Sequence, residues 1–376
     1  MWTLDPSIAF LNHGSFGACP SSVQQEQARW RTRLEAEPVR FFMRELEPAM
    51  DAVRARLGAF LGCDPEELVW VPNATTGVNT VLRSLRLQPG DEVLTTDHAY
   101  NACANALHFD ADRAGSKVVV AFVPFPLQSP DEVTAAVLAA VTAKTKVALI
   151  DHVTSPTGLV FPLAEIIDGL HARGVKVLVD GAHAPGMVPL NLRALKADWY
   201  TGNLHKWVCA PKGAAFLHVP LEFQDTVRPL TISHGANAAR TDRSRFRLEH
   251  DWTGTMDFSP WLSVPAALDA LPAGAMEENR TLALEARTLL GEALGVPMPA
   301  PESMIGSLAA LPLPGGVTGP GALPGSGGFD PLQDHLFHAH QIEVPVFSWS
   351  GKRLLRISAQ RYNTRADYER LAAALK

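Results

Sequence analysis

Lys206 stands in the run Gly202-Asn-Leu-His-Lys-Trp207, with Val208 after it. The chain has nine lysines, and most of the others sit at polar strand starts or on helices. An amine between an imidazole, an indole and an aliphatic side chain loses proton affinity by desolvation, and a neutral amine attacks carbonyl carbons. Upstream, Asp180 closes the apolar run Lys176–Val179. Burial of such an acid is costly unless it meets a cation or hydrogen-bond donors, although an acid at a strand end also serves as an ordinary helix N-cap. Further upstream, Leu68-Val-Trp-Val71 leads into Asn73-Ala-Thr-Thr-Gly77. Free amides, a helix dipole and the hydroxyls of Thr75 and Thr76 make an anion site there, and the same residues also read as a plain helix start.

Taken together, the three features suit one cofactor. Pyridoxal phosphate needs an acid that keeps its pyridine nitrogen protonated, a lysine that holds its aldehyde as an imine, and a cradle for its phosphate. Two further strand ends carry polar residues. One gives Asp97-His98-Ala99-Tyr100-Asn101, where a ring can stack on a planar ligand. The other gives Asp151-His-Val-Thr-Ser155-Pro-Thr-Gly158.

The elements that must position these residues alternate. Strands are expected at 68–71, 92–95, 117–123, 146–150, 176–179 and 214–219, with helical patterns between them at 131–141 and 162–173. That alternation marks βαβ units and a mainly parallel sheet, which binds ligands at the carboxyl ends of its strands. Residues 1–20 are turn-rich and read as an arm. Residues 21–61 have helical periodicity with a break near Pro38. Residues 264–295 are Ala/Leu/Glu-rich and helical, and Pro312–Pro331 is dense in Gly and Pro, the composition of a flexible surface segment. The tail adds strands at 343–347 and 353–358 and a helix at 365–375. The expected division is an arm (1–20), a large α/β domain (21–258) and a smaller α+β domain (259–376).

Composition removes several function classes. The net charge is −6, so nucleic acid lacks a basic footprint to bind. No apolar run reaches the roughly 18 residues of a membrane span. The start, MWTLDPS, lacks the basic and apolar regions of a signal peptide, so the expected compartment is the cytoplasm. Cys19, Cys63, Cys103 and Cys209 form no CxxC pair and read as small buried hydrophobes. His335, His338 and His340 read as helix-face residues, and no metal site is expected.

The chain resembles the class V aminotransferase family of fold-type I pyridoxal-phosphate enzymes, and within it the isopenicillin N epimerase-like branch. The resemblance rests on Phe10-Leu-Asn-His-Gly-Ser-Phe-Gly17, Asn73-Ala-Thr-Thr-Gly77, Asp97-His-Ala-Tyr100, Asp151-His-Val-Thr-Ser155, Asp180-Gly-Ala-His183, Gly202–Trp207, Thr253-Gly-Thr255, Arg356-Ile-Ser358 and Tyr362-Asn363, in family order. It implies a mainly parallel seven-stranded sheet sandwiched by helices, and a smaller α+β C-terminal domain. Lys206 becomes the attachment point and Asp180 the partner of the pyridinium nitrogen. His183 and Ser155 lie near the ring's phenolic oxygen. Thr75, Thr76, Asn203 and His205 hold the phosphate, and His98 or Tyr100 covers the ring face. Arg356 grips the substrate α-carboxylate with its planar fork, with Asn12 also at the substrate. Thr255 reaches the phosphate of a neighbouring subunit in a homodimer. Cysteine desulfurases of the family carry a catalytic Cys shortly before the carboxylate-binding Arg, and the stretch Gly315–Lys352 contains none.

The leading expectation is therefore a pyridoxal-phosphate enzyme acting at the α-carbon of an amino acid or small peptide-like amine, epimerase-like, with transamination or β-elimination as alternatives. A non-catalytic cofactor-binding protein has no need of a carboxylate clamp. A nicotinamide enzyme needs GxGxxG after the first strand, where Asn73-Ala-Thr-Thr-Gly77 stands instead.

Overall fold

The computed structural model describes residues 2–315 and 330–376. Seven strands form the central sheet: β1 (Leu68–Val71), β2 (Glu92–Thr96), β3 (Lys117–Ala121), β4 (Thr145–Asp151), β5 (Lys176–Asp180), β6 (Trp199–Asn203) and β7 (Ala215–His218). Their spatial order is β1-β7-β6-β5-β4-β2-β3, and β7 alone runs antiparallel to its neighbours. A parallel sheet must be covered on both faces, which is why these strands read as continuous apolar runs. Side chains still alternate. Val147, Leu149 and Leu178 join one buried cluster, while Ala148, Ile150, Val177 and Val179 join the other.

The helices that matter for the site follow strands directly. They are α3 (Ala74–Ser84) after β1 and α4 (Asn101–Ala114) after β2. Upstream, α1 (Ser21–Ala36) and α2 (Leu46–Leu61) are separated by the expected break. Pro38 opens a short turn capped by the Glu37 carboxylate, and a π-helical turn follows at Phe41–Glu45.

Within the central sheet, β6 is the strand that sequence pattern misses, because Thr201, Gly202 and Asn203 are poor strand formers. Its place between β5 and β7 sets it, and the Thr201 hydroxyl donates to the Phe216 carbonyl at 2.8 Å. Helix α3 lies so close to β6 that a Cβ on Gly77 would stand 2.1 Å from Thr201 Oγ1.

A second sheet holds β8 (Leu308–Pro312), β9 (Val346–Trp349) and β10 (Lys352–Ser358), ordered β9-β10-β8 and antiparallel. Helix α5 (Ala275–Leu294) packs on it, and the C-terminal helix α6 (Arg365–Ala374) packs on α5. Most of the Gly/Pro-rich stretch Pro312–Pro331 lies outside the described residues. The arm is stitched to this C-terminal part, since Ala9–Phe10 pairs in parallel with Ile342–Glu343. Residues 259–269 instead pack on α1 and α2, and the Trp261 indole donates to the Val71 carbonyl at 3.3 Å. We therefore place the boundary of the small domain nearer residue 270 than residue 259.

Candidate active site

The turn after β6 carries Lys206 and is clamped from two sides by backbone. A Cβ on Gly17 (φ +71°) would stand 2.1 Å from the His205 carbonyl oxygen. One on Gly186 (φ +84°) would meet Trp207 and Val208 backbone at 2.5–2.7 Å. Both positions need the missing side chain and the left-handed backbone that glycine tolerates. The arm adds a further tie: His13, fully buried, donates from Nε2 to the Lys206 carbonyl at 3.0 Å and accepts from Tyr362 Oη at 2.9 Å. The backbone of Lys206 is thus fixed while its Nζ stands 3.0 Å from His183 Nε2. Burial lowers the Lys206 ammonium to about 8. The Arg356 charge pushes the same way, and Asp180 opposes it. The Trp207 indole donates to the other nitrogen of His183 at 3.3 Å.

Asp180 ends β5, in register with Asp151 at the end of β4. Its Oδ1 accepts from the Ala182 amide at 3.0 Å, and its Oδ2 accepts from the Cys103 thiol at 3.0 Å. Burial, then the Asp180 charge, holds Cys103 well above the usual thiol range, so it stays a donor. The same two causes raise Asp151 well above the carboxylate range. Asp180 is pinned by two donors.

The cradle at the start of α3 is built by Asn73 and Asn203. Asn73 Oδ1 accepts from the Thr76 amide at 2.8 Å and from the Thr76 hydroxyl at 3.0 Å. Asn203 Oδ1 accepts from the Ala74 amide at 2.8 Å, which leaves its amide nitrogen as a donor without a partner among the described residues. The Thr75 amide has no acceptor among the described residues. His205 Nδ1 donates to the Ala214 carbonyl at 2.9 Å, and burial lowers its imidazole to about 4. Its Nε2 must take up a proton before it can meet a phosphate oxygen, so the four cradle residues are not equivalent.

Arg356, on β10, is 6% exposed and has no carboxylate within ion-pair distance among the described residues. It donates to the carbonyl and hydroxyl of Ser155 and, at 3.1 Å, to the Ser15 hydroxyl, and its buried Nε has no partner. Burial lowers it to about 10. A buried guanidinium left without an anion is costly, and a substrate carboxylate removes that cost. Arg356→Lys is expected to raise the KM for amino-acid substrates by about 10- to 100-fold through loss of one charged hydrogen bond. Cofactor affinity should change little. Equal KM values in the two proteins would move the carboxylate site elsewhere.

The model of the Aminotransferase class-V family matches residues 20–295 of this chain. The chain belongs to the class V aminotransferase family. It is 36% identical to isopenicillin N epimerase of Amycolatopsis lactamdurans, over all of this chain and 96% of that protein. It is 32% identical to putative L-cysteine desulfhydrase 1 of Oryza sativa subsp. japonica, over 99% of this chain and 83% of that one. Among solved structures, the cystine C–S lyase C-DES in complex with cysteine persulfide superposes with a TM-score of 0.80 at 20% identity, covering 98% of this chain and 97% of that one. The cysteine desulfurase CsdA of Escherichia coli gives 0.79 at 22% identity, covering 100% and 95%. These likenesses show the fold.

Class V enzymes use pyridoxal 5′-phosphate, and the donor set of this chain fits it. A desolvated amine, a pinned carboxylate, donors at a helix start and an unpaired guanidinium lie on one side of the sheet, where β1, β5 and β6 end.

Tyr100 and His98, left as alternatives for the ring face, are separated by the structure. Tyr100 is 37% exposed, and its phenol feels the charges of Asp180 and Arg356. His98 is fully buried elsewhere. Its Nδ1 meets Thr157 Oγ1 at 2.7 Å, its Nε2 meets the Val123 carbonyl at 3.1 Å, and Trp349 packs on its ring at 4.5 Å. His98 ties three loops together, and no face of it is free for a ligand. Asn12 donates from Nδ2 to Glu343 and accepts at Oδ1 from Ser15, and we propose that it acts by holding Ser15 rather than by touching the substrate. Ser155 meets Arg356, and His183 meets Lys206. Thr255 lies exposed on the loop 252–257, which is anchored by Trp252 against Phe42 and by the Arg31–Asp257 pair. We propose that this loop reaches a second copy of the chain. Ser15, Cys103 and Trp207 were not legible as site residues. Ser15 sat in a turn-rich stretch, Cys103 read as a small buried hydrophobe, and Trp207 read only as an apolar neighbour that desolvates Lys206.

Proposed function

We propose that this class V enzyme moves the α-proton of an amino acid or small peptide-like amine and acts as an epimerase of the isopenicillin N epimerase kind. The observation that carries the reading is the buried, carboxylate-free Arg356 beside the desolvated Lys206. A guanidinium there places the α-carboxylate, and with it the α-carbon, within reach of one amine. When bound, pyridoxal phosphate withdraws electrons from the α-carbon and acidifies its proton. Lys206, whose ammonium burial lowers to about 8, gives up its proton far more readily than an ordinary lysine and takes the α-proton as a general base. Burial, with Cys103 and Asp180 beside it, raises the Tyr100 phenol, which keeps it protonated and fit to donate. An amine that accepts on one face and a phenol that donates on the other give inversion. The full-length similarity to two isopenicillin N epimerases, at 36% and 34% identity, supports the same reading.

A second reading is favoured by the similarity to plant L-cysteine desulfhydrases: loss of a β-substituent after the same proton removal. Candidate amino acids in deuterated water, followed by NMR and chiral chromatography, separate the outcomes. Deuterium at Cα with inversion is the expected result. Retention with keto-acid accumulation indicates transamination, and pyruvate with ammonia from a β-substituted substrate indicates a lyase. Failure of any amino acid to exchange, in protein that holds the cofactor, would defeat both readings.

A further inference from the structure

We propose that Trp207 is a positioning residue that fixes the tautomer of His183 and thereby holds Lys206 as a neutral amine. The inference rests on the reading of Lys206 as the reacting amine. It starts from donor arithmetic. An indole nitrogen only donates, so the 3.3 Å contact from Trp207 Nε1 requires a lone pair on His183 Nδ1. The ring is 3% exposed, and burial above all, with the Arg356 charge beside it, drives it to the neutral form. A neutral imidazole has one proton, which must then lie on Nε2. That proton faces Lys206 Nζ at 3.0 Å. Two donors cannot share one contact, so the Nε2 proton favours the form in which Nζ accepts, the unprotonated amine.

Both members of the relay are held rigidly. Trp207 is fully buried, with the His13 ring 4.8 Å away and Gly186 pressed against its carbonyl. The other groups facing Lys206 do not decide its charge alone. Burial, the largest cause, and Arg356 favour the neutral amine, while Asp180 favours the ammonium. His13 is engaged at the Lys206 carbonyl and His205 at Ala214. The His183 N–H adds to burial and Arg356 in favouring the neutral amine. In the other tautomer, Nε2 would accept and would stabilise the ammonium.

Two measurements test this. In cofactor-free protein labelled with ¹⁵N-histidine, nitrogen–proton correlation is expected to place the His183 proton on Nε2. A proton on Nδ1 would overturn the proposal. In the second, the rate at which added pyridoxal phosphate produces a visible band is followed against pH. The neutral amine is the reacting form, so the wild-type rate should rise with pH about a midpoint near 8 and level off above it. In Trp207→Phe the levelling-off should move up by about one unit, and the rate at pH 7 should fall about 10-fold, with recovery at high pH. A folded Trp207→Phe protein with an unmoved midpoint would reduce the indole to packing and overturn the proposal. If the variant fails to fold, the wild-type tautomer decides. No visible band in wild type would instead defeat the reading of Lys206, and the tautomer again decides the role of Trp207.

Discussion

Lys206→Ala is expected to abolish turnover, a loss of roughly 10²–10⁴-fold or more for removal of a positioned general base, and to remove the visible band that borohydride bleaches in wild type. The fold should survive. What fixes the turn is backbone: the His13 bond to the Lys206 carbonyl and the close approach of Gly17 and Gly186 remain in the variant. Among the described residues, the side chain itself has one hydrogen-bonded contact, to His183. Far-UV circular dichroism and thermal unfolding check the fold, and the absorbance spectrum with a substrate panel checks the chemistry. A variant that keeps both its visible band and its activity would refute the assignment of Lys206, and with it the reading of the whole site.

The residues that announce themselves in the sequence are those whose chemistry is anomalous for their position. Lys206 among apolar neighbours and Asp180 at the end of an apolar strand needed no structure, because burying either is costly without a function or a partner. The parallel sheet was legible for a related reason: strands covered on both faces must be apolar throughout. Strand β6 was not, since Thr201-Gly202-Asn203 owes its conformation to the strands on either side. Contacts between distant segments were hidden too. Nothing in Asp97-His98-Ala99-Tyr100 says that the histidine is spent on Thr157 and Val123 while the tyrosine faces Asp180. Likewise, the chain from Glu343 through Asn12 and Ser15 to Arg356 joins residues more than 300 positions apart. Sequence reading finds the groups that act, and it misses those that hold them.

Asp180→Asn tests one of those holding arrangements together with the charge. Both carboxylate oxygens accept, Oδ1 from the Ala182 amide and Oδ2 from the Cys103 thiol. An asparagine side chain has one acceptor and one donor group, so in either orientation its NH₂ faces a donor inside a site that is 2% exposed. The variant also lacks the negative charge that keeps a pyridine nitrogen protonated. Loss of one charged hydrogen bond costs about 1.5–3 kcal/mol, or roughly 10- to 150-fold in the rate of α-proton removal. Cofactor binding should persist, because the phosphate cradle around Asn73 and Asn203 and the amine of Lys206 are untouched. Solvent exchange of the substrate α-proton, measured at saturating cofactor, reads the chemical step alone. The double variant Asp180→Asn with Cys103→Ala separates the two causes, because removing the thiol relieves the donor–donor contact without restoring charge. A double variant as slow as Asp180→Asn makes the charge the dominant cause, whereas recovery to near wild type makes it the hydrogen-bond conflict. Exchange in Asp180→Asn as fast as in wild type would show that Asp180 has another role.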